Sequence, residues 1–169
     1  MYDFEKHVPG IPEDFLHLFP GDNRAELLAK NTHDASAFIL EMMEAGAWTP
    51  ATTPVQLKVG YHTPCHLRIR GGGQATLDLL ASIPGLEVGN VDRGCCGLAG
   101  SYGMKAQNYG ASMAIGARPG GYLRDERFDA VTTDCAGCEM QLKAVSGLPA
   151  HHPIKLLWMA NGEEPLSAT

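Results

Sequence analysis

From residue 55 onward the chain alternates short apolar runs with longer segments whose apolar positions recur every three to four residues. Val55 to Tyr61, Leu86 to Val91 and Phe128 to Thr133 read as strands, each bounded by glycine, proline or polar turns. Between them, Gly71-Gly72-Gly73 leads into a helix marked by Ala75, Leu77, Leu79, Leu80 and Ile83 and stopped by Pro84-Gly85. Met104 to Ala117 reads as a second helix, ended near Pro119-Gly120-Gly121. Ala136 to Val145 reads as a third and Ile154 to Ala160 as a short last one. Strands alternating with helices predict an α/β fold of three layers, with a short parallel sheet and right-handed crossovers.

The first third of the chain reads differently. Asn23 to Ala47 carries Leu27, Leu28, Ala35, Phe38, Ile39, Met42 and Met43 near a 3.6-residue period, with Asp22 as N-cap, and predicts one long amphipathic helix. Leu27, Phe38, Ile39 and Met42 read as positions for core or module packing. Residues 1 to 22 contain Pro9, Pro12 and Pro20, show no clear period and read as an extended lead-in. The segment Trp48-Thr49-Pro50-Ala51-Thr52-Thr53-Pro54 breaks the helix. The expected organisation is a lead-in with an amphipathic helix over 1–54, a main domain over 55–162 and a tail over 163–169.

Composition narrows the partners. Apolar residues make up 44% and charged residues 19% of 169, and the formal charge is -6, which disfavours nucleic acid as a ligand. No apolar run approaches the roughly 20 residues of a membrane-spanning helix, and Met1 to Lys6 shows no basic-then-apolar leader, so a cytoplasmic location is expected. A chain of this size buries enough core to fold without disulfides.

The five cysteines carry the chemistry. Cys65, the pair Cys95-Cys96, and Cys135 with Cys138 each follow the carboxyl end of an expected strand, the edge where open α/β sheets place their ligands. All five thiols should therefore meet at one edge. Cys135 and Cys138 lie at the start of a helix, where free N–H groups favour negative charge on sulfur. Cys95 and Cys96 serve one site only if the chain turns sharply there, and Gly94 and Gly97 allow such a turn. In a reducing compartment clustered cysteines point to metal or redox chemistry, and an odd count leaves one over in any disulfide scheme. Zinc closed by four thiolates, in a scaffold that docks subunits, leaves the fifth unexplained. A thioredoxin-type dithiol needs only Cys135 and Cys138. An iron–sulfur cluster of several irons accommodates all five.

The stretches Tyr61-His62-Thr63-Pro64-Cys65-His66, Ile83-Pro84-Gly85-Leu86-Glu87, Cys95-Cys96-Gly97-Leu98-Ala99-Gly100-Ser101-Tyr102-Gly103, Thr133-Asp134-Cys135-Ala136-Gly137-Cys138 and His152-Pro153-Ile154 together resemble the cysteine-rich CCG family. Its modules occur in the B subunit of heterodisulfide reductase, in iron–sulfur subunits of glycolate and lactate oxidation, and in the C subunit of anaerobic glycerol-3-phosphate dehydrogenase, to which the likeness is strongest. The resemblance implies a noncubane [4Fe–4S] cluster held by Cys65, Cys95, Cys96, Cys135 and Cys138. It implies an electron-transfer subunit, not catalytic alone, that takes electrons from a flavoprotein dehydrogenase subunit and passes them toward quinone at the inner face of the cytoplasmic membrane. The chain departs from the family in carrying one module and no ferredoxin-like Cys-x-x-Cys-x-x-Cys runs, so it reads as the C-terminal part of a longer subunit.

Other polar residues bear on the same site. His62 and His66 bracket Cys65, and each could ligate a metal or hydrogen-bond a thiolate. His151-His152-Pro153 reads as the cap of the last helix rather than a ligand set. Arg93 and Lys105 could offset thiolate charge. The glycine run at 71–73 lacks the spacing of a phosphate-binding loop.

Overall fold

A computed structural model describes residues 11–49, 52–69 and 72–162. The first ten residues of the expected lead-in, Pro50 and Ala51 of the linker, Gly71 of the glycine run and the 163–169 tail lie outside the described residues. Four strands, β1 (Leu57–Tyr61), β2 (Leu86–Asn90), β3 (Ala130–Thr132) and β4 (Ala150–His151), form a parallel sheet in the order β2-β1-β3-β4. Helices α1 (Ile11–Leu18), α2 (Asn23–Lys30) and α3 (Ala35–Glu44) precede the sheet. α4 (Cys65–Ile69) and α5 (Gln74–Ala81) join β1 to β2, α6 (Tyr109–Asp125) joins β2 to β3, α7 (Ala136–Ser146) joins β3 to β4, and α8 (Pro153–Ala160) follows.

Alternation along the strands sorts the core into two layers. Val59, Tyr61 and Ala130 face Leu79, Leu80, Leu156, Leu157 and Ala160, with Ile39, Leu40 and Met43 of α3 packed outside them. Val131 faces the other way, into Leu123, Phe128, Leu142 and the buried Cys96 and Cys138. The three-layer α/β expectation is met. On the second face glycines set the spacing: Gly60 and Gly89 are register partners, and side chains of Leu123 and Phe128 occupy the space their Cβ atoms would need.

Several sequence expectations are corrected. The single helix over 23–47 is two, because Asn31 and Thr32 donate side-chain hydrogen bonds back to the carbonyls of Leu27 and Leu28, at 2.7 Å each, and end α2. Asp34 then caps α3 by accepting from the Ala37 N–H at 3.0 Å. Leu27 and Phe38 are not core, being 64% and 42% exposed, whereas Ile39 packs inward. α1 occupies part of the stretch expected to be extended, with the Phe15 and Phe19 rings stacked at 6.2 Å. α6 runs through Pro119-Gly120-Gly121 instead of ending there. The reason is packing: a Cβ on Gly120 would lie 2.8 Å from the Val145 carbonyl oxygen of α7, so this glycine allows a close helix contact and marks no turn. Strand β4 has no counterpart in the sequence reading, since two residues carry too little pattern to be seen. His152 does cap α8, its Nδ1 accepting from the Ile154 N–H at 3.2 Å.

Gly60→Ala should destabilise the fold by about 1–3 kcal/mol, since its Cβ would sit 2.5 Å from Leu123 Cδ2 and 2.8 Å from Val91 Cγ2 in a closed core. Gly110→Ala, on an open face of α6 with nothing within 4 Å, should stabilise by about 0.5–1 kcal/mol through helix propensity. Urea unfolding of both variants checks the pair, and equal midpoints would contradict it.

Candidate metal centre

Three loops leave the carboxyl edge of the sheet, and each delivers cysteine within a few residues of its strand. Cys65 opens α4 after β1, Cys95 and Cys96 follow β2, and Cys135 stands as the N-cap residue of α7 after β3, with Cys138 in the first turn. All five line one cavity of about 510 Å³, together with His66, Leu98, Met104 and Gly137. The convergence expected from strand-end placement is observed.

The turn at the vicinal pair is built by its flanking glycines. Gly94 has φ +91° and Gly97 φ +97°, both left-handed, so the backbone reverses on either side of Cys95-Cys96. Gly97 is required a second time by space: a Cβ there would lie 2.1 Å from the Ser112 carbonyl oxygen of α6. On the same helix, a Cβ at Gly116 would lie 2.5 Å from the Cys96 carbonyl oxygen. The result puts Cys95 Sγ 3.6 Å from Cys65 Sγ, while the Gly97 N–H donates to Cys95 Sγ at 3.3 Å.

Burial grades across the site. Cys96 and Cys138 are buried in the second core layer, Cys95 and Cys135 are half-buried, and Cys65 is exposed. The Cys96 thiol is pulled below the ordinary range, chiefly by the Cys138 thiol alongside it and further by the Leu98 backbone N–H. Cys138 moves the opposite way, pushed up by the same neighbour and then by burial. The pair thus sheds one proton readily and holds the second. Burial also raises Cys95, partly offset by the Gly97 N–H. A cation placed among these sulfurs would replace the proton that the pair retains.

The two histidines separate. His66 is exposed at the cavity rim. His62 is fully buried, and one of its ring nitrogens lies within 4.8 Å of the Cys96 and Cys138 sulfurs. Neither of its nitrogens makes a well-formed hydrogen bond. Burial pulls its pKa down to about 4, with Arg68 adding to the effect and the Val91 backbone offsetting only part of it. Arg93 is engaged elsewhere, its guanidinium 4.0 Å over the Tyr122 ring and donating to the Asp92 carbonyl, so it does not face the sulfurs. Lys105 is exposed and off the cavity wall.

Asp134 is a residue that sequence reading passes over. It sits beside Cys135 and accepts from the buried Tyr61 hydroxyl at 2.6 Å and from Thr76 Oγ1 at 3.0 Å, with Ser36 3.1 Å from Thr76. Burial, and then the Asp134 carboxylate, push Tyr61 well above the ordinary phenol range, so it stays a donor. This network ties the cysteine loop after β3 to β1, α5 and α3. Only the tyrosine-to-aspartate distance in space reveals it, as 73 positions separate them.

The CCG cysteine-rich domain family matches residues 59–143. The C subunit of anaerobic glycerol-3-phosphate dehydrogenase from Escherichia coli strain K12 is 42% identical over 150 residues, which is 89% of this chain and 37% of that protein. The B subunit of fumarate reductase (CoM/CoB) from Methanothermobacter marburgensis is 36% identical over 94 residues, 53% of this chain and 19% of its own length. Lactate utilization protein A of Halalkalibacterium halodurans is 31% identical over 85 residues, 48% of this chain and 34% of its own. The chain therefore spans between 19% and 37% of the length of these curated relatives. Among the described residues no helix is long and apolar enough to cross a membrane. With the family match covering half the chain and enclosing all five cysteines, the chain belongs to the CCG cysteine-rich domain family.

Proposed function

We propose that this chain is an iron–sulfur electron-transfer module of a multi-subunit oxidoreductase, with Cys65, Cys95, Cys96, Cys135 and Cys138 as the cluster ligands. The observation that carries the reading is that five free thiols line a single cavity, one more than a tetrahedral ion takes. The donor set is all sulfur on the cavity wall apart from His66, which suits iron–sulfur chemistry. The proposed group is a noncubane [4Fe–4S] cluster, which when bound supplies a one-electron carrier. Likeness to the C subunit of anaerobic glycerol-3-phosphate dehydrogenase supports a flavoprotein dehydrogenase as electron donor and quinone as the eventual acceptor. Such a module works against its partners, at the inner face of the cytoplasmic membrane, and is not catalytic alone.

The chain's own residues set the conditions. Gly94 and Gly97 turn both vicinal sulfurs toward one cavity, and the first turn of α7 brings Cys135 and Cys138 to the same cavity. Buried Cys96 and Cys138 form the dry end of the site, where water is excluded and sulfur charge is felt most strongly. Cys65 stands at the open end.

Metal and sulfide analysis on protein purified without oxygen tests the reading directly. Iron and acid-labile sulfide with visible absorption are expected; one zinc, no sulfide and no colour would replace it with a zinc-held docking scaffold. Within the iron–sulfur reading, Cys96→Ser should lower bound iron about as much as Cys95→Ser, and full iron retention in Cys96→Ser would remove Cys96 from the ligand set. Removing the metal should leave the sheet and the long helices intact, because both core layers are made without it. Residues 62–69, 93–103 and 134–138 should lose amide protection, since gathering thiolates without a cation is unfavourable. Hydrogen exchange on both forms checks this, and equal protection of those loops would contradict it.

A further inference from the structure

His62 follows β1 directly, and its backbone N–H donates to the Thr132 carbonyl at 2.9 Å, so strand pairing sets where its ring goes. The ring is completely enclosed, and neither nitrogen makes a well-formed hydrogen bond, the Val91 backbone offering only a weak one. A buried polar group left unpaired weakens a fold and calls for an explanation. A phenylalanine or leucine would fill the space without that cost. Besides the Val91 backbone, which makes no well-formed bond to the ring, the acceptors within reach are sulfurs: one His62 ring nitrogen and the sulfurs of Cys96 and Cys138 lie within 4.8 Å of one another. Protonated thiols are poor acceptors, but metal ligation requires thiolates, which accept well.

Position distinguishes a hydrogen-bond donor from a ligand. The cavity wall includes Cys96, Cys138 and His66 but not His62. The ring therefore lies beside the two buried sulfurs without lining the cavity itself. Resting on the iron–sulfur reading above, we propose that His62 is a positioning residue that donates its ring N–H to a thiolate of the Cys96 and Cys138 pair and holds the reduction potential up. An N–H···S bond strengthens as the sulfur gains electron density, so it stabilises the reduced state more than the oxidised one.

The test is a redox titration, followed by paramagnetic resonance, of the anaerobically purified wild-type chain, His62→Leu and His62→Gln. All three should bind iron. His62→Leu should have a lower midpoint potential, by about 59 mV if loss of the donor costs tenfold in the one-electron equilibrium. His62→Gln, which keeps an N–H donor, should recover a substantial part of the difference. An unchanged potential in His62→Leu would overturn the proposal, as would a His62→Gln potential no higher than that of leucine. Should the leucine variant fail to fold, pulsed resonance on wild-type protein with 15N-labelled histidine still decides. A weak nitrogen coupling, of the size a hydrogen bond transmits, is expected; strong coupling from an iron-bound nitrogen, or none, would overturn it. Wild-type protein that takes up no iron would overturn the cluster reading and this proposal together, whereas iron uptake with an indifferent His62 overturns this proposal alone.

Discussion

The contact on which the site depends is a backbone one, between α6 and the loop that carries Cys95 and Cys96. At Gly97 and Gly116 an added Cβ would come 2.1 Å from the Ser112 carbonyl oxygen and 2.5 Å from the Cys96 carbonyl oxygen, so loop and helix touch there with no side chain between them. Atoms this close leave no slack for a methyl group. Ser112 is in turn held by Gln141 of α7, whose amide donates to its carbonyl at 3.3 Å and lies 3.1 Å from its hydroxyl. Since α7 carries Cys138, one buried amide couples the cysteine pair after β2 to the cysteines after β3.

The opposite side of the site is held by hydrogen bonding instead of close packing. Asp134 takes two side-chain hydrogen bonds from residues 58 and 73 positions upstream, and both donors are buried. A carboxylate partly removed from water is tolerated only with such donors. The Cys135 loop thus cannot shift without stranding that charge. Glycine contacts on one side and a hydroxyl–carboxylate network on the other hold four of the sulfurs by independent means.

What was legible in the sequence, and what was not, follows from how each feature is encoded. Alternating strands and helices are local patterns, so β1, β2, β3, α5 and α7 are readable within a few residues, and strand-end placement alone puts the cysteines together. The break between α2 and α3 depends on Asn31 and Thr32 turning their side chains back onto α2, which competes with a continuous apolar period and is invisible to it. Gly116, Pro119 and Gly120 give the wrong signal for α6, because glycine and proline mark turns when considered locally but close approach when a second helix lies against them. The Asp134 network and the solitary burial of His62 are long-range facts. No spacing rule announces them.

The fifth cysteine is held differently from the rest. Cys65 opens α4, a five-residue helix that buries none of its residues, and a helix of that length has almost no stability of its own. Its links to the rest are the Cys95 sulfur at 3.6 Å, the Thr63 carbonyl that Arg68 reaches at 3.4 Å, an exposed ion pair of Arg68 with Asp92, and the loop beside Gly72. Exposed pairs of this kind contribute about 0–1 kcal/mol. A site with four sulfurs preorganised by the core and one on a loosely held helix has a built-in order. The firm set defines the pocket, and Cys65 reaches it from the cysteine-bearing element least held by the rest of the fold.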